Sequence, residues 1–149
     1  MTTPGHEQSA TTATGSVPWE ALAVALAWSL GSTVVVGGFL LLLLDNIWWG
    51  AAVAVAALFG GGFYVGDRTG EPEPMYGSML TGAYFGAVVA VIFAGTALEV
   101  LSDPLPGLDR GDSTFFFVAP LLLLVGGVAG SIAGGGVASR DIANGQDAT

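Results

Sequence analysis

The stretch WEALAVALAWSLGSTVVVGGFLLLLL, Trp19–Leu44, carries no charge after Glu20. At about 1.5 Å of rise per residue, a helix of this length outreaches the roughly 30 Å hydrocarbon core of a bilayer. A soluble chain has no use for so long an uncharged run. Lipid offers the backbone no hydrogen bonds, so a spanning segment closes its own as a helix or joins a closed barrel. The alternating pattern of barrel strands is absent, and helix is the remaining solution.

Three further runs follow the same logic: Ile47–Val65, Ser78–Leu101 and Phe115–Ala138. Asp45 and Asn46 separate the first two so briefly that they form a tight hairpin. Trp48 and Trp49 flank that turn, where indole rings favour the headgroup region. The expected fold class is all-α, an integral membrane four-helix bundle built from two helical hairpins. The spanning domain covers 19–138, with helices at 19–44, 47–65, 78–101 and 115–138. Residues 1–18 and 139–149 are polar, lack apolar periodicity and read as disordered tails. No positive segment precedes the first apolar run, as a signal peptide would require.

Two polar loops punctuate the chain. GDRTGEPEPMYG, Gly66–Gly77, contains Glu71-Pro72-Glu73-Pro74, and each proline disfavours helix in the residue before it. This stretch reads as a rigid spacer on the cytoplasmic side. The second, Ser102–Thr114, holds Asp103, Asp109, Arg110 and Asp112. Pro120 falls inside the fourth run. It implies either a helix that starts near it, with Phe115–Phe117 as an interfacial lead-in, or a bend.

The charge balance is lopsided: 12 acidic residues, three cationic ones and a net charge of −9, with no lysine and no cysteine. That excludes a nucleic-acid surface, disulfides and sulfur-ligated metal. It also argues against general attraction to anionic membranes. An acidic, lysine-free chain suits concentrated salt, where self-repulsion is screened, so the source reads as a halophilic archaeon. Arg68 follows the second helix and Arg140 the fourth, on one side of the membrane, with Arg110 opposite. Arginine favours the cytoplasm, which puts both termini there.

Burial from water cannot hold helices together in lipid, and small residues that let backbones approach are the usual substitute. Each run carries such residues at four-residue spacing, which places them on one face. They are Ala23, Ala27 and Gly31; Ala52, Ala56 and Gly60; Gly82, Gly86, Ala90 and Ala94; and Gly126, Gly130, Gly134 and Ala138. Gly82, Gly86 and Ala90 in the third helix, with Gly126, Gly130 and Gly134 in the fourth, are the expected packing residues. The second and fourth helices end alike, Gly60-Gly61-Gly62 before Arg68 and Gly134-Gly135-Gly136 before Arg140, which hints at two hairpins related as parallel repeats.

Residues able to carry chemistry are scarce. Glu20, Asp45 and Glu99 all sit at run ends, where a carboxylate reaches the interface. Gly31-Ser32 and Gly130-Ser131 have the small-residue setting of an intramembrane nucleophile, but no helix holds a histidine or lysine to act as its base. His6 lies in the N-terminal tail. The aspartates of the second loop lack the alternating ligands of a calcium loop. No catalytic, cofactor-binding or metal residue is expected, and no enzyme.

GGGFYVGDRTG, Gly60–Gly70, followed by GSMLTGAYFGAVVAVI, Gly77–Ile92, resembles small haloarchaeal multi-pass membrane proteins of a domain-of-unknown-function family. There a glycine-rich helix end leads through a short polar loop into a G-xxx-G helix; the Glu-Pro-Glu-Pro loop departs from that pattern. The resemblance covers about a quarter of the chain. It implies a four-helix membrane fold and carries over no functional residue.

These features favour a non-enzymatic packing or assembly module, with membrane lipid around it and a second copy or another membrane protein as partner. The alternative is a small oligomeric channel or transporter for a neutral or small solute.

Overall fold

A computed structural model describes residues 17–98 and 113–146. The N-terminal tail with His6, the carboxylate Glu99, the aspartate loop with Arg110, and residues 147–149 lie outside the described residues. Among those described, all regular structure is helical. Helix α1 is Trp19–Leu44, α2 Ile47–Thr69, α3 Pro74–Ala97 and α4 Ser113–Gln146. All four are long and apolar enough to cross a membrane. Their large apolar side chains point outward: Trp28 is 67% exposed, Leu42 88% and Phe117 75%. A water-soluble surface does not carry apolar faces on this scale.

The α1–α2 hairpin closes through local chemistry. Asp45 adopts φ 46°, a left-handed conformation that the short polar side chain tolerates, and its N–H donates to the Leu41 carbonyl at 3.0 Å. Asn46 then caps α2, its side-chain oxygen accepting from the Trp48 N–H at 3.0 Å. Trp48 meets Phe115 of α4 edge to face, with ring centroids 5.3 Å apart.

The loop between α2 and α3 is shorter than the sequence suggests. Helix α2 runs on to Thr69 and stops at Gly70, whose φ of 70° and N–H bond to the Gly66 carbonyl form a left-handed cap. Helix α3 begins at Pro74 rather than at Ser78, because proline at a first helical position loses no bond. Only Gly70–Glu73 stay non-helical. Helix α4 includes Pro120 in its interior and extends through 139–146, a stretch expected to be tail. Once a helix exists, each added residue costs little, and no proline stops this one.

Helix α1 is α-helical over Trp19–Ser32 and Gly38–Leu44, with a π-helical turn at Thr33–Gly37 between them. The buried core gathers Leu22 and Ala25 of α1, Ala54, Leu58 and Val65 of α2, Tyr76, Leu80 and Tyr84 of α3, and Leu123 of α4.

Candidate functional site: a backbone seam and the faces outside it

The most extensive pairing in the molecule joins α2 to α4, which run parallel. Methyl groups added to Gly126, Gly130 and Gly134 of α4 would land on the backbone of α2. Gly126 would meet the Val55 carbonyl oxygen at 3.0 Å, Gly130 the Phe59 carbonyl, and Gly134 the Phe63 carbonyl and the Asp67 nitrogen. From the other side, Gly62 faces the Gly127 carbonyl and the Ser131 nitrogen, and Gly66 faces Ser131 and Gly135. Side chains can turn aside; two main chains cannot. This is the small-xxx-small principle carried over three successive turns of α4 and two of α2.

Helix α3 enters the same seam antiparallel to α4. Gly77 abuts the Gly127 carbonyl, which Gly62 also abuts, so three helices meet through three glycines. Thr81 sits beside them, its hydroxyl donating to the Gly77 carbonyl at 2.9 Å. Gly135 lies against the Glu71–Pro72 peptide, which seats the short loop on α4.

Polar side chains fasten α1 to this group. The buried Ser29 hydroxyl donates to the Ala57 carbonyl of α2 at 3.0 Å, and Gly61 lies directly beneath Ser29. The Tyr84 hydroxyl of α3 donates to Thr33 Oγ1 at 2.9 Å, and Thr33 donates to the Ser29 carbonyl at 2.8 Å. This chain of bonds reaches α1 where its π-helical turn begins. The Ser131 hydroxyl donates to the Val128 carbonyl one turn back at 3.0 Å. Among the described residues, every buried side-chain nitrogen or oxygen has a hydrogen-bond partner.

Toward the Asp45 end α1 and α2 stay close, a methyl on Gly37 lying 3.7 Å from Gly50 Cα, while α2, α3 and α4 border open space. Helix α3 there presents Phe85, Val88, Val89 and Ile92 where its first turns present glycine and threonine. These side chains line a half-open apolar cavity of about 340 Å³. Gly50, Ala54, Tyr84, Val88, Pro120 and Leu123 are among its lining residues.

Gly126, Gly130 and Gly134 therefore lie inside, against backbone. Gly82, Gly86 and Ala90 lie exposed on α3, and among the described residues nothing beyond the helix's own backbone comes within 4 Å of a methyl placed on either glycine. The stripes Ala23-Ala27-Gly31 on α1 and Ala52-Ala56-Gly60 on α2 are exposed too. Sequence reasoning missed Gly62, Gly66, Gly77 and Gly127. Gly62 and Gly66 have the four-residue spacing, but three consecutive glycines at 60–62 permit three faces about 100° apart, and only the neighbouring helix selects one. The two glycine triplets play unlike parts: Gly60 is open where Gly134 is packed, and Gly62 is packed where Gly136 is open.

Four apolar helices joined in this way are the build of a multi-pass membrane protein. No protein-family model, curated protein or solved structure matches the chain.

Proposed function

We propose that the chain is a non-enzymatic membrane module whose role is to pack, through the outer face of α3, against a second copy of itself or another membrane protein. The observation that supports this most is the exposure of Gly82, Gly86 and Ala90. Glycine inside a helix costs up to about 1 kcal/mol relative to alanine. At Gly62 or Gly130 that cost is offset by backbone approach. At Gly82 and Gly86 nothing among the described residues offsets it, since a methyl there would meet open space.

Arg68 and Arg140 leave the bundle at the end where α1 begins, and we place that end in the cytoplasm. The acidic, lysine-free composition fits a halophilic archaeal source, so association is to be measured in molar salt.

The test is the association state of the full chain in bilayers, read by single-molecule photobleaching. Wild type is expected to self-associate, or to copurify with one stoichiometric membrane protein. Gly82→Leu with Gly86→Leu is expected to leave a folded monomer. If the double variant keeps the same partner and stoichiometry, the α3 face is not the interface. Flux of neutral solutes is followed in the same liposomes. Substrate-selective leakage would favour the permeation reading.

A further inference from the structure

Helices α1 and α2 run antiparallel at the Arg68 end and leave a crease between them that changes character with depth. At its mouth a groove of about 570 Å³ is lined by Trp19, Glu20, Tyr64 and Arg68. Deeper lies an apolar groove of about 280 Å³, with Trp28 and Gly60 among its walls. Val24 and Tyr64 belong to both, so the two are continuous. Gly60, Tyr64 and Arg68 stand at four-residue spacing on α2, and Glu20, Val24 and Trp28 match them on α1. From Arg68 to Gly60 the crease descends about 12 Å along the helix axis.

The groups at the mouth suit one chemistry. The Arg68 guanidinium lies 5.6 Å from the centroid of the Tyr64 ring, a cation–π arrangement that limits its orientation. Among the described residues no carboxylate pairs with Arg68. Its planar fork matches the oxygens of a phosphate. Trp19, 70% exposed, stands where an indole sits at headgroup level. Glu20 in the same groove disfavours a doubly charged phosphate and can accept hydrogen bonds from hydroxyl groups. Below, Gly60 leaves the floor of the crease open: among the described residues nothing lies within 4 Å of a methyl placed there.

We infer that this crease is a binding site for an anionic phospholipid. The phosphodiester sits on Arg68, a hydroxylated headgroup lies beside Glu20, and one hydrocarbon chain lies along Gly60 and Trp28. The site is local. The net charge of −9 gives the molecule no general attraction to anionic membranes, so selectivity rests on one guanidinium and the groove that orients it.

The full chain in bilayers of equal phosphatidylglycerol and phosphatidylcholine, with matched chains, is released into native mass spectrometry, and the ratio of retained lipids is read. Wild type is expected to prefer phosphatidylglycerol about fivefold, the worth of roughly 1 kcal/mol for one arginine at a membrane surface. Arg68→Gln is expected to bring the ratio to about one. Gly60→Leu, which fills open space, is expected to reduce retention of both lipids. Excess glycerol phosphate, which has no chain, is expected to displace neither. The inference is overturned if Arg68→Gln keeps the preference, if Gly60→Leu keeps the retention, or if glycerol phosphate competes.

Discussion

The two ends of this bundle are held together by different means. Toward Arg68, helices meet through main chain: Gly62, Gly77 and Gly127 bring three backbones to one point, and Gly130 and Gly134 lie on the carbonyls of Phe59 and Phe63. Toward Asp45 the same helices present large apolar side chains and border a half-open cavity of about 340 Å³. Hydrocarbon surrounds both ends, so neither gains from removing apolar surface from water. What separates them is contact distance. Dispersion and weak Cα–H···O bonds fall off steeply with separation, and only glycine lets whole backbones into range. The difference teaches that glycine count alone says little here; what matters is which glycines meet another backbone.

The largest expected effect comes from a single methyl at the tight end. Gly130→Ala sets a carbon against the carbonyl oxygen, carbonyl carbon and Cα of Phe59, and none of these can rotate away. A loss of about 3 kcal/mol is expected, the upper part of the range for overpacking. Gly82→Ala adds the same methyl to an open face and is expected to stabilise the monomer, by up to about 1 kcal/mol, because α-helical propensity favours alanine. Reversible unfolding of dilute monomer by SDS measures both. Equal costs at the two positions would erase the distinction between ends and faces.

The Asp45 end should respond in the opposite sense. Gly50 lines the cavity, and among the described residues a methyl placed on it meets nothing within 4 Å. Gly50→Val adds three carbons to unoccupied space and removes a helix glycine. A gain of about 0.5–1 kcal/mol in the same SDS titration is expected. A loss comparable to that of Gly130→Ala would show that the two ends are packed alike. Amide exchange gives a second measure of the contrast: protection is expected to be greater at Gly62–Val65 and Gly127–Ser131 than at Phe85–Ile92.

Much of the fold was legible because a bilayer imposes a simple rule. Four uncharged runs become four helices, and Asp45-Asn46 can only be a turn. The helix ends were less legible. Pro74 reads as a breaker in sequence but serves as a first helical residue, and Ser139–Gln146 reads as a polar tail but continues α4. In both places the deciding fact is a neighbouring helical turn, which a residue-by-residue reading undervalues. The seam was half legible. On α4 the four-residue stripe Gly126-Gly130-Gly134 is the face that meets α2. On α2 the stripe chosen by the same rule, Ala52-Ala56-Gly60, points outward, while Gly62 and Gly66 meet α4. Spacing defines a face of a helix but carries no information about where the next helix stands.

The smallest expected effect lies between the two ends, where Tyr84 belongs to both. Its ring lines the cavity, and its hydroxyl donates to Thr33 Oγ1 at the start of the π-helical turn. Tyr84→Phe keeps the ring and removes this bond between α3 and α1. Hydrogen bonds between membrane helices average about 0.6 kcal/mol, because the separated helices also find partners. A loss of that order is expected, well below the cost at Gly130. Thr33 still donates to the Ser29 carbonyl after the change, so its hydroxyl is not stranded. The informative readout is amide exchange across Thr33–Gly37. If Tyr84 steadies that turn, exchange there rises in the variant while Gly62–Val65 is unchanged. If exchange rises equally at Gly62–Val65, the tight end depends on the polar chain as well as on its glycines, and backbone approach is not what sets it apart.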